Sequence, residues 1–411
     1  MNRFEKRNQT AERRKNQFCR TYKLKIDKSH LSQKSKEHLE ALFIEGKWFY
    51  NYCLSQKSIK DIKTTIKSVL VKVGNSYETR EFKVLTGQMK QSIKQKMFNN
   101  LSSLHSLKKN GYKVGGLKFK SKMNFIPLIQ YNYTFFIDFE KSAIRISKMK
   151  AWLKVRGLDQ LPIDCEITNA VLVRKAGDLY LHVTTFSAKA EKVVTEESIG
   201  IDFGCNTQLT FSNGIKIEFQ VPITKKLKRL DRKIMKGARQ KSKKKRQNLI
   251  EREQEYSKLT SKKQDIRNKI ISLITNNYKY VIFQDESIHC WQSGKHGKKI
   301  QNTAIGGIIA DLKIKSHTPI MVDKFFPSTK LCYECGNLVQ IGISERTFIC
   351  NCCGFTMDRD TKSAKCIEIE GIKQVPVDHR DFKAGEILSS TFFDSLSKIN
   401  GIKVSKTISM N

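Results

Sequence analysis

Hydrophobic and polar positions change rhythm several times along the chain. Residues 1–18 are charged, show no apolar period and read as a mobile basic arm. RTYKLKID alternates, with Tyr22, Leu24 and Ile26 on one face, and predicts a strand. From Leu31 to Gln56 the spacing turns helical through Leu39, Leu42, Phe43, Trp48 and Tyr52. A second helix is predicted over Lys83 to Lys108, where Leu85, Met89, Ile93 and Met97 recur every four residues. The glycine-rich GYKVGGLKFKSK then marks a return to strand structure. TFFIDFE, AIRISK, LKVRG, AVLVRKAGD and YLHVTTF follow as short strands, the pattern of a small antiparallel barrel or sheet. The helical module is therefore inserted between the first strand and the rest.

The second half has longer apolar runs. SIGIDFG is an apolar strand ending in a carboxylate and a glycine. TQLTFSNGIKIEF reads as a hairpin, with Asn213-Gly214 expected in a type I′ turn. A basic segment comes next and continues helically to about Ile274. YKYVIFQDES and TPIMVDKFF are two further strands, and the tail from Gly371 has weak periodicity and is expected to be loosely ordered. Trp48, Phe49, Tyr50 and Tyr52 read as packing residues of the helical module, and Trp291 as either packing or stacking.

Charge changes this picture. Lysine and arginine number 77 against 39 acids, a net charge of +38 in 411 residues, and such an excess points to a polyanionic partner. Between Lys225 and Arg246 stand 13 basic residues and one acid, Asp231. Lys243, Lys244, Lys245 and Arg246 are the candidate nucleic-acid contacts there. No apolar stretch approaches the length of a membrane span, and the amino terminus lacks the apolar core of a signal peptide, so the reading is intracellular and cytoplasmic, with no membrane partner.

In a reducing compartment 11 cysteines suggest metal ligands or free thiols, and five of them lie between Cys332 and Cys353. Cys332-x-x-Cys335 and Cys350-x-x-Cys353, each pair followed by glycine, suit a structural Zn²⁺ held by four thiolates. Cys352 breaks the spacing and is read as a non-ligand. A closed four-thiolate site has no open position for catalysis. His317 and the other histidines have no metal spacing.

The acids are informative by placement. Asp202 ends one predicted strand, Glu286 follows another, and Asp358 and Asp360 come just after the cysteines. Acids at the ends of buried strands are costly unless compensated, and divalent cations do that. Three such carboxylates can hold Mg²⁺ ions that activate water against a phosphodiester.

GIDFGCNTQ, YVIFQDESIHCW, FFPSTKLCYECG and ICNCCGFTMDRDTKSA occur here in the order seen in the transposon-encoded TnpB proteins. With KWFYNYCL, GLKFKSK and the long basic helix, the resemblance covers roughly residues 20 to 370 and extends to the miniature type V CRISPR effectors. It implies an α/β chain with an RNase H-like RuvC nuclease domain, an inserted four-cysteine zinc ribbon, and an amino-terminal β-barrel interrupted by a helical module. The expected divisions are a basic arm at 1–18, a wedge-like barrel at 19–30 and 111–190, and a helical recognition module at 31–110. The nuclease domain would take 191–324 and 356–395, the target-binding ribbon 325–355 and a tail 396–411. The implied activity is RNA-guided, Mg²⁺-dependent DNA cleavage encoded by a mobile element, with guide RNA and target DNA as partners.

Asp202 matches the family's first catalytic acid and Asp360 best matches the third, with Asp358 as runner-up. Many relatives carry Glu-Asp where this chain has Gln284-Asp285. Glu286 lies two residues on, and i and i+2 share a strand face, so Glu286 is taken as the second acid and Asp285 faces away. After Asp360 the family has one residue and then Asn-Ala-Ala. Here Thr361 is followed by Lys362-Ser363-Ala364, and Cys366 stands where asparagine is common. Lys362 would compete with Mg²⁺, reach the scissile phosphate, or point to solvent. The first outcome leaves a nuclease-decayed, guided DNA-binding repressor as the alternative. A simple zinc-ribbon nucleic-acid binder is a third reading, but it gives Asp202 and Glu286 no role.

Overall fold

A computed structural model describes residues 3–188, 197–236, 242–294, 296–342, 344–375 and 386–407. They form two units, Met1–Ala190 and Glu191–Asn411.

The first unit opens with α1 (Arg3–Lys15), where a mobile arm was expected, and continues into β1 (Gln17–Ile26). Cations hold α1 where an apolar stripe would normally do so. Arg14 pairs with Glu166 at 2.7 Å and lies 3.4 Å over the centroid of the Phe186 ring. Next come α2 (Gln33–Ser55), a hairpin of β2 (Ser68–Val73) and β3 (Ser76–Glu81) that the pattern did not reveal, and α3 (Gly87–Lys109). Ser32 and Thr86 cap α2 and α3 by accepting the N–H groups of Ser35 and Met89.

Residues 112–124 have no regular structure, although GYKVGGLKFKSK was expected to return to strand. The Asn51 side chain takes the place of a neighbouring strand. It donates to the Lys120 carbonyl at 2.9 Å and accepts the Lys120 N–H at 2.8 Å. The chain then runs through β4 (Phe125–Ile129), β5 (Phe135–Asp138), β6 (Ala143–Ile146), β7 (Leu153–Arg156), β8 (Glu166–Lys175) and β9 (Asp178–Ala188). These strands and β1 make a seven-stranded, nearly closed barrel in the order β4-β8-β9-β1-β7-β6-β5. Helices and barrel share one core, in which Leu42 and Phe49 of α2 join Leu24, Ile126 and Leu128. Phe49 and Tyr50 are buried and Trp48 and Tyr52 half-buried, so this aromatic run packs.

The second unit begins with β10 (Ser198–Phe203), β11 (Leu209–Phe211) and β12 (Ile215–Phe219). The β11–β12 turn is not type I′, because Asn213 keeps a negative φ. Gly214 alone is left-handed, at φ 83°, and donates to the Phe211 carbonyl. The basic segment is two helices, α4 (Lys225–Lys236) and α5 (Lys243–Asn277); Arg239 and Lys241 lie outside the described residues. After β13 (Tyr280–Gln284) come α6 (Ile288–Ser293), α7 (Gly297–Gln301), α8 (Ile305–Lys315) and β14 (Thr318–Val322). A hairpin of β15 (Thr347–Ile349) and β16 (Thr356–Asp358) leads directly into α9 (Arg359–Ile372). The chain closes with α10 (Glu386–Ser397) and β17 (Ile402–Lys406).

The sheet order is β14-β13-β10-β11-β12-β17, parallel across β10, β13 and β14 and antiparallel beyond β10. Alternation along β13 decides its two faces. Val281 and Phe283 join Ile270 of α5, Ile308 of α8 and Phe392 of α10, while Tyr280 and Ile282 pack with Ile367 of α9. Trp291 packs against the first of these cores. In the tail, residues 376–385 and 408–411 lie outside the described residues, but the expectation of loose order does not hold at β17, which pairs with β12 over its whole length; the short IKVSK run gave no strong period because its alternate positions are only half-buried.

Two glycines let α9 lie directly on the sheet. A Cβ at Gly200 would stand 2.3 Å from the Ala364 carbonyl, and one at Gly371 would stand 2.2 Å from Ile282. This close packing puts the amino-terminal turn of α9 beside the carboxyl ends of β10 and β13.

Candidate functional site

Asp202 is the penultimate residue of β10, half-buried and paired in register with Thr210 of β11. Its carboxyl is pushed up to about 8, first by burial, then by the charges of Asp360 and Glu286, with Arg359 and Lys362 pulling the other way. The structure thus brings into electrostatic contact the three acids chosen from sequence. Their surroundings differ. Asp360 occupies the first turn of α9, where the helix dipole favours an anion, and pairs with Arg359 at 3.1 Å and Arg346 at 3.6 Å. Asp358 is committed elsewhere. It caps α9 by accepting the Thr361 N–H at 2.9 Å, and it pairs with Lys216 at 2.7 Å. Arg346 and Arg359 were not singled out in the sequence, where nothing but nearness to the cysteines and acids marks them.

β13 stops at Gln284, and a tight turn follows in which the Glu286 N–H donates to the Gln284 carbonyl at 2.9 Å. The turn, rather than a shared strand face, directs Glu286, which is half-buried and raised by burial and by Asp285. Asp285 is exposed and bonds to Lys313 of α8 at 2.6 Å. Gln284 is itself buried. Its Nε2 lies 3.0, 3.1 and 2.9 Å from the carbonyls of Asp323, Lys324 and Phe326, and its Oε1 accepts from the Ser328 hydroxyl at 3.3 Å.

Lys362 does not point to solvent, and its charge is felt at Asp202. It is fully buried and donates to the carbonyls of Ser328 at 2.9 Å, Thr329 at 2.6 Å and Leu331 at 3.0 Å, with Nζ 4.0 Å from the Phe348 ring centroid. Three N–H donors meet three carbonyls, so the ammonium has none left for solvent or phosphate.

The four cysteines converge as their spacing required. Their sulfurs all lie within 4.8 Å of one another, and among the described residues no other cluster of acids, histidines or cysteines is as tight. The two knuckles are near copies. Gly336 and Gly354, at φ 72° and 73°, donate to the carbonyls of Cys332 and Cys350, and Cys332 and Cys350 donate to those of Asn337 and Phe355. Backbone N–H groups at Cys353 and Cys352 help lower the Cys350 thiol to about 6. Cys352 is exposed and outside the cluster. The donor set is that of a closed tetrahedral zinc site. Phe348 and Val339 complete the small core beneath it.

On α4, Leu227 and Leu230 are buried, while Lys225, Lys226, Lys228, Arg229, Arg232 and Lys233 are exposed. Asp231 pairs with Arg252 of α5. At the start of α5, Lys243, Lys244 and Arg246 are exposed and Lys245 is half-buried. Among the described residues no helix is long and apolar enough to cross a membrane.

Residues 311–367 match the family described as Cas12f1-like, TNB domain. Over 269 residues the chain is 23% identical to a Streptomyces pristinaespiralis protein that carries the provisional name RNA-guided DNA endonuclease. The match takes in 62% of this chain and 65% of that protein, just under two thirds of the relative's length. Among solved structures, a Cas12f1–sgRNA–target DNA complex aligns at TM-score 0.48 and 13% identity, covering 86% of this chain and 99% of that one. The mini-RNA-guided endonuclease CRISPR-Cas phi3 aligns at TM-score 0.40 and 9% identity, covering 86% and 92%.

Two expectations follow. Cys332→Ser or Cys353→Ser will release about one equivalent of zinc by elemental analysis, and Cys352→Ser will keep it; loss confined to the Cys352 variant would overturn the ligand set. The second concerns pH. The raised Asp202 carboxyl favours the folded state fully below its ordinary value near 3.8, and that contribution is lost as pH rises towards about 8. Without added divalent ions, the melting temperature of the parent protein relative to Asp202→Asn will therefore fall between pH 5 and 8. A constant difference across that range would show that Asp202 ionises normally.

Proposed function

We propose that this chain, a relative of the TnpB proteins and miniature type V effectors, is an RNA-guided DNA endonuclease that cuts by divalent-metal-dependent hydrolysis. One observation carries the reading. Asp360, in the first turn of α9, and Glu286, in the turn after β13, both raise the proton affinity of Asp202 near the carboxyl end of β10, which pairs in parallel with β13. Ligands in open α/β sheets gather at that end. We read the mixed sheet with α9 as the RuvC-like nuclease domain and the four-cysteine hairpin as its target-binding ribbon.

Acids placed so as to repel one another are a poor structural choice and a good cation site. Asp202, Glu286 and Asp360 would hold Mg²⁺, and the bound ions supply water activation and charge stabilisation at the scissile phosphate. Arg359 and Arg346 limit the negative charge at Asp360, and Lys216 keeps Asp358 out of the set. Cys332, Cys335, Cys350 and Cys353 would hold a structural zinc. The exposed cations of α4 and of the start of α5 would follow a phosphate backbone, with guide RNA and target DNA as partners. The Lys362 ammonium is held by three carbonyls, while its charge still lowers the proton affinity of Asp202.

Asp202→Asn, Glu286→Gln and Asp360→Asn should each lower Mg²⁺-dependent cleavage of a guided plasmid target by about a hundredfold or more while binding persists. Asp285→Asn and Asp358→Asn should stay within a few fold, since asparagine also caps a helix. Normal cutting by Glu286→Gln would return the second acid to Asp285. Replacing Lys243, Lys244, Lys245 and Arg246 by glutamine should flatten the log–log salt dependence of duplex binding by up to about 0.9 per lost phosphate contact. An unchanged slope would make this a solvated face.

A further inference from the structure

The segment Asp323–Leu331 links β14 to the first ribbon cysteine and contains no helix or strand. Such a segment has carbonyls to satisfy. Six of its nine face side-chain donors from β13 and α9. The two N–H bonds of the Gln284 amide are shared among the carbonyls of Asp323, Lys324 and Phe326, and Lys362 donates to those of Ser328, Thr329 and Leu331. A hydroxyl relay joins the two clamps. Ser363 donates to the Ser328 hydroxyl at 2.9 Å, which donates to Gln284 Oε1. Cys366 adds a contact to the Leu331 carbonyl at 3.3 Å.

The ribbon's other end needs no linker, because β16 runs directly into α9. Both ends of the ribbon are therefore anchored on one turn of one helix, the turn that carries Asp360. Lys362 also lies against Phe348, the buried ring of the ribbon's own core. A single buried ammonium thus touches the approach segment, the ribbon core and the helix of the third acid.

We propose that Lys362, supported by Gln284, is a positioning residue that fixes the zinc ribbon and Asp360 as one body. It acts through the approach segment, so that Asp360 is held in place against Asp202 and Glu286. The inference rests on the reading of these acids as a cation site. No shorter side chain substitutes for Lys362: asparagine or glutamine cannot supply three donors at that reach, and methionine supplies none.

The test uses the full chain with Lys362→Met, Lys362→Gln and Gln284→Met, read by zinc content, backbone amide exchange and Mn²⁺ affinity. Zinc should stay near one equivalent. Amide exchange should quicken by about tenfold or more within residues 323–331 and the first turn of α9, the scale of losing hydrogen bonds to a charged group. Mn²⁺ binding, followed by electron paramagnetic resonance, should weaken severalfold, and Lys362→Gln should lie between Lys362→Met and the parent. The double variant Lys362→Met/Gln284→Met should be less impaired than the two single effects multiplied, because both act on one segment. Faster exchange with unchanged Mn²⁺ affinity would reduce Lys362 to a stabilising residue and overturn the proposal. So would unchanged exchange in 323–331, or acceleration spread evenly over the second unit. None of these measurements needs cleavage. If the parent protein binds Mn²⁺ at the acids but never cuts DNA, the endonuclease reading fails and the positioning inference is still decided.

Discussion

Helix α9 lies on β10 and β13 closer than any side chain at Gly200 or Gly371 would allow, and the rest of the second unit is arranged around that contact. The Gly200 contact is with a backbone carbonyl, which cannot rotate away, so the spacing is fixed by the chain itself. It brings a helix terminus, with its inward-pointing dipole, to the ends of two parallel strands. Asp360 and Glu286 then fall within electrostatic reach of Asp202. Ser198 bonds to Glu368 at 2.6 Å further along the same contact and ties the helix to the sheet from the other side of Gly200.

Repulsion among those acids is paired with rigidity around them. Each nearby polar group with another possible allegiance is held by a partner of its own: Asp358 by Thr361 and Lys216, Asp285 by Lys313, Gln284 and Lys362 by the segment 323–331. An acid cluster with mobile neighbours would recruit the nearest lysine, and this chain has 77 lysines and arginines to offer. Asp360 is held by Arg359 and Arg346, and other cations stay on exposed helices such as α4.

The cysteine knuckles were fully legible, because a two-residue spacing followed by glycine constrains the backbone as well as the ligand. The strands carrying Asp202 and preceding Glu286 were legible from apolar runs, and the helices after β1 from four-residue spacing. Helix α1 was not, since its docking depends on Arg14 meeting Glu166 and Phe186 more than 150 residues away. Strand β17 escaped for a similar reason: it is defined by the free edge of β12, which no local pattern announces. The β11–β12 turn was located but mistyped, because Asn-Gly fits both a two-residue I′ turn and a three-residue loop in which only glycine is left-handed.

The acids were located in sequence by comparison with relatives, and the departures from those relatives were harder to read one at a time. Gln284 stands where many relatives carry an acid, and Lys362, Ser363 and Cys366 also depart from the family's residues. In space all four contact the same nine-residue segment. A carboxylate at 284 would face three carbonyl oxygens with no donor to offer them, so the amide is what that environment requires. Lys362 meets the same requirement with a longer reach.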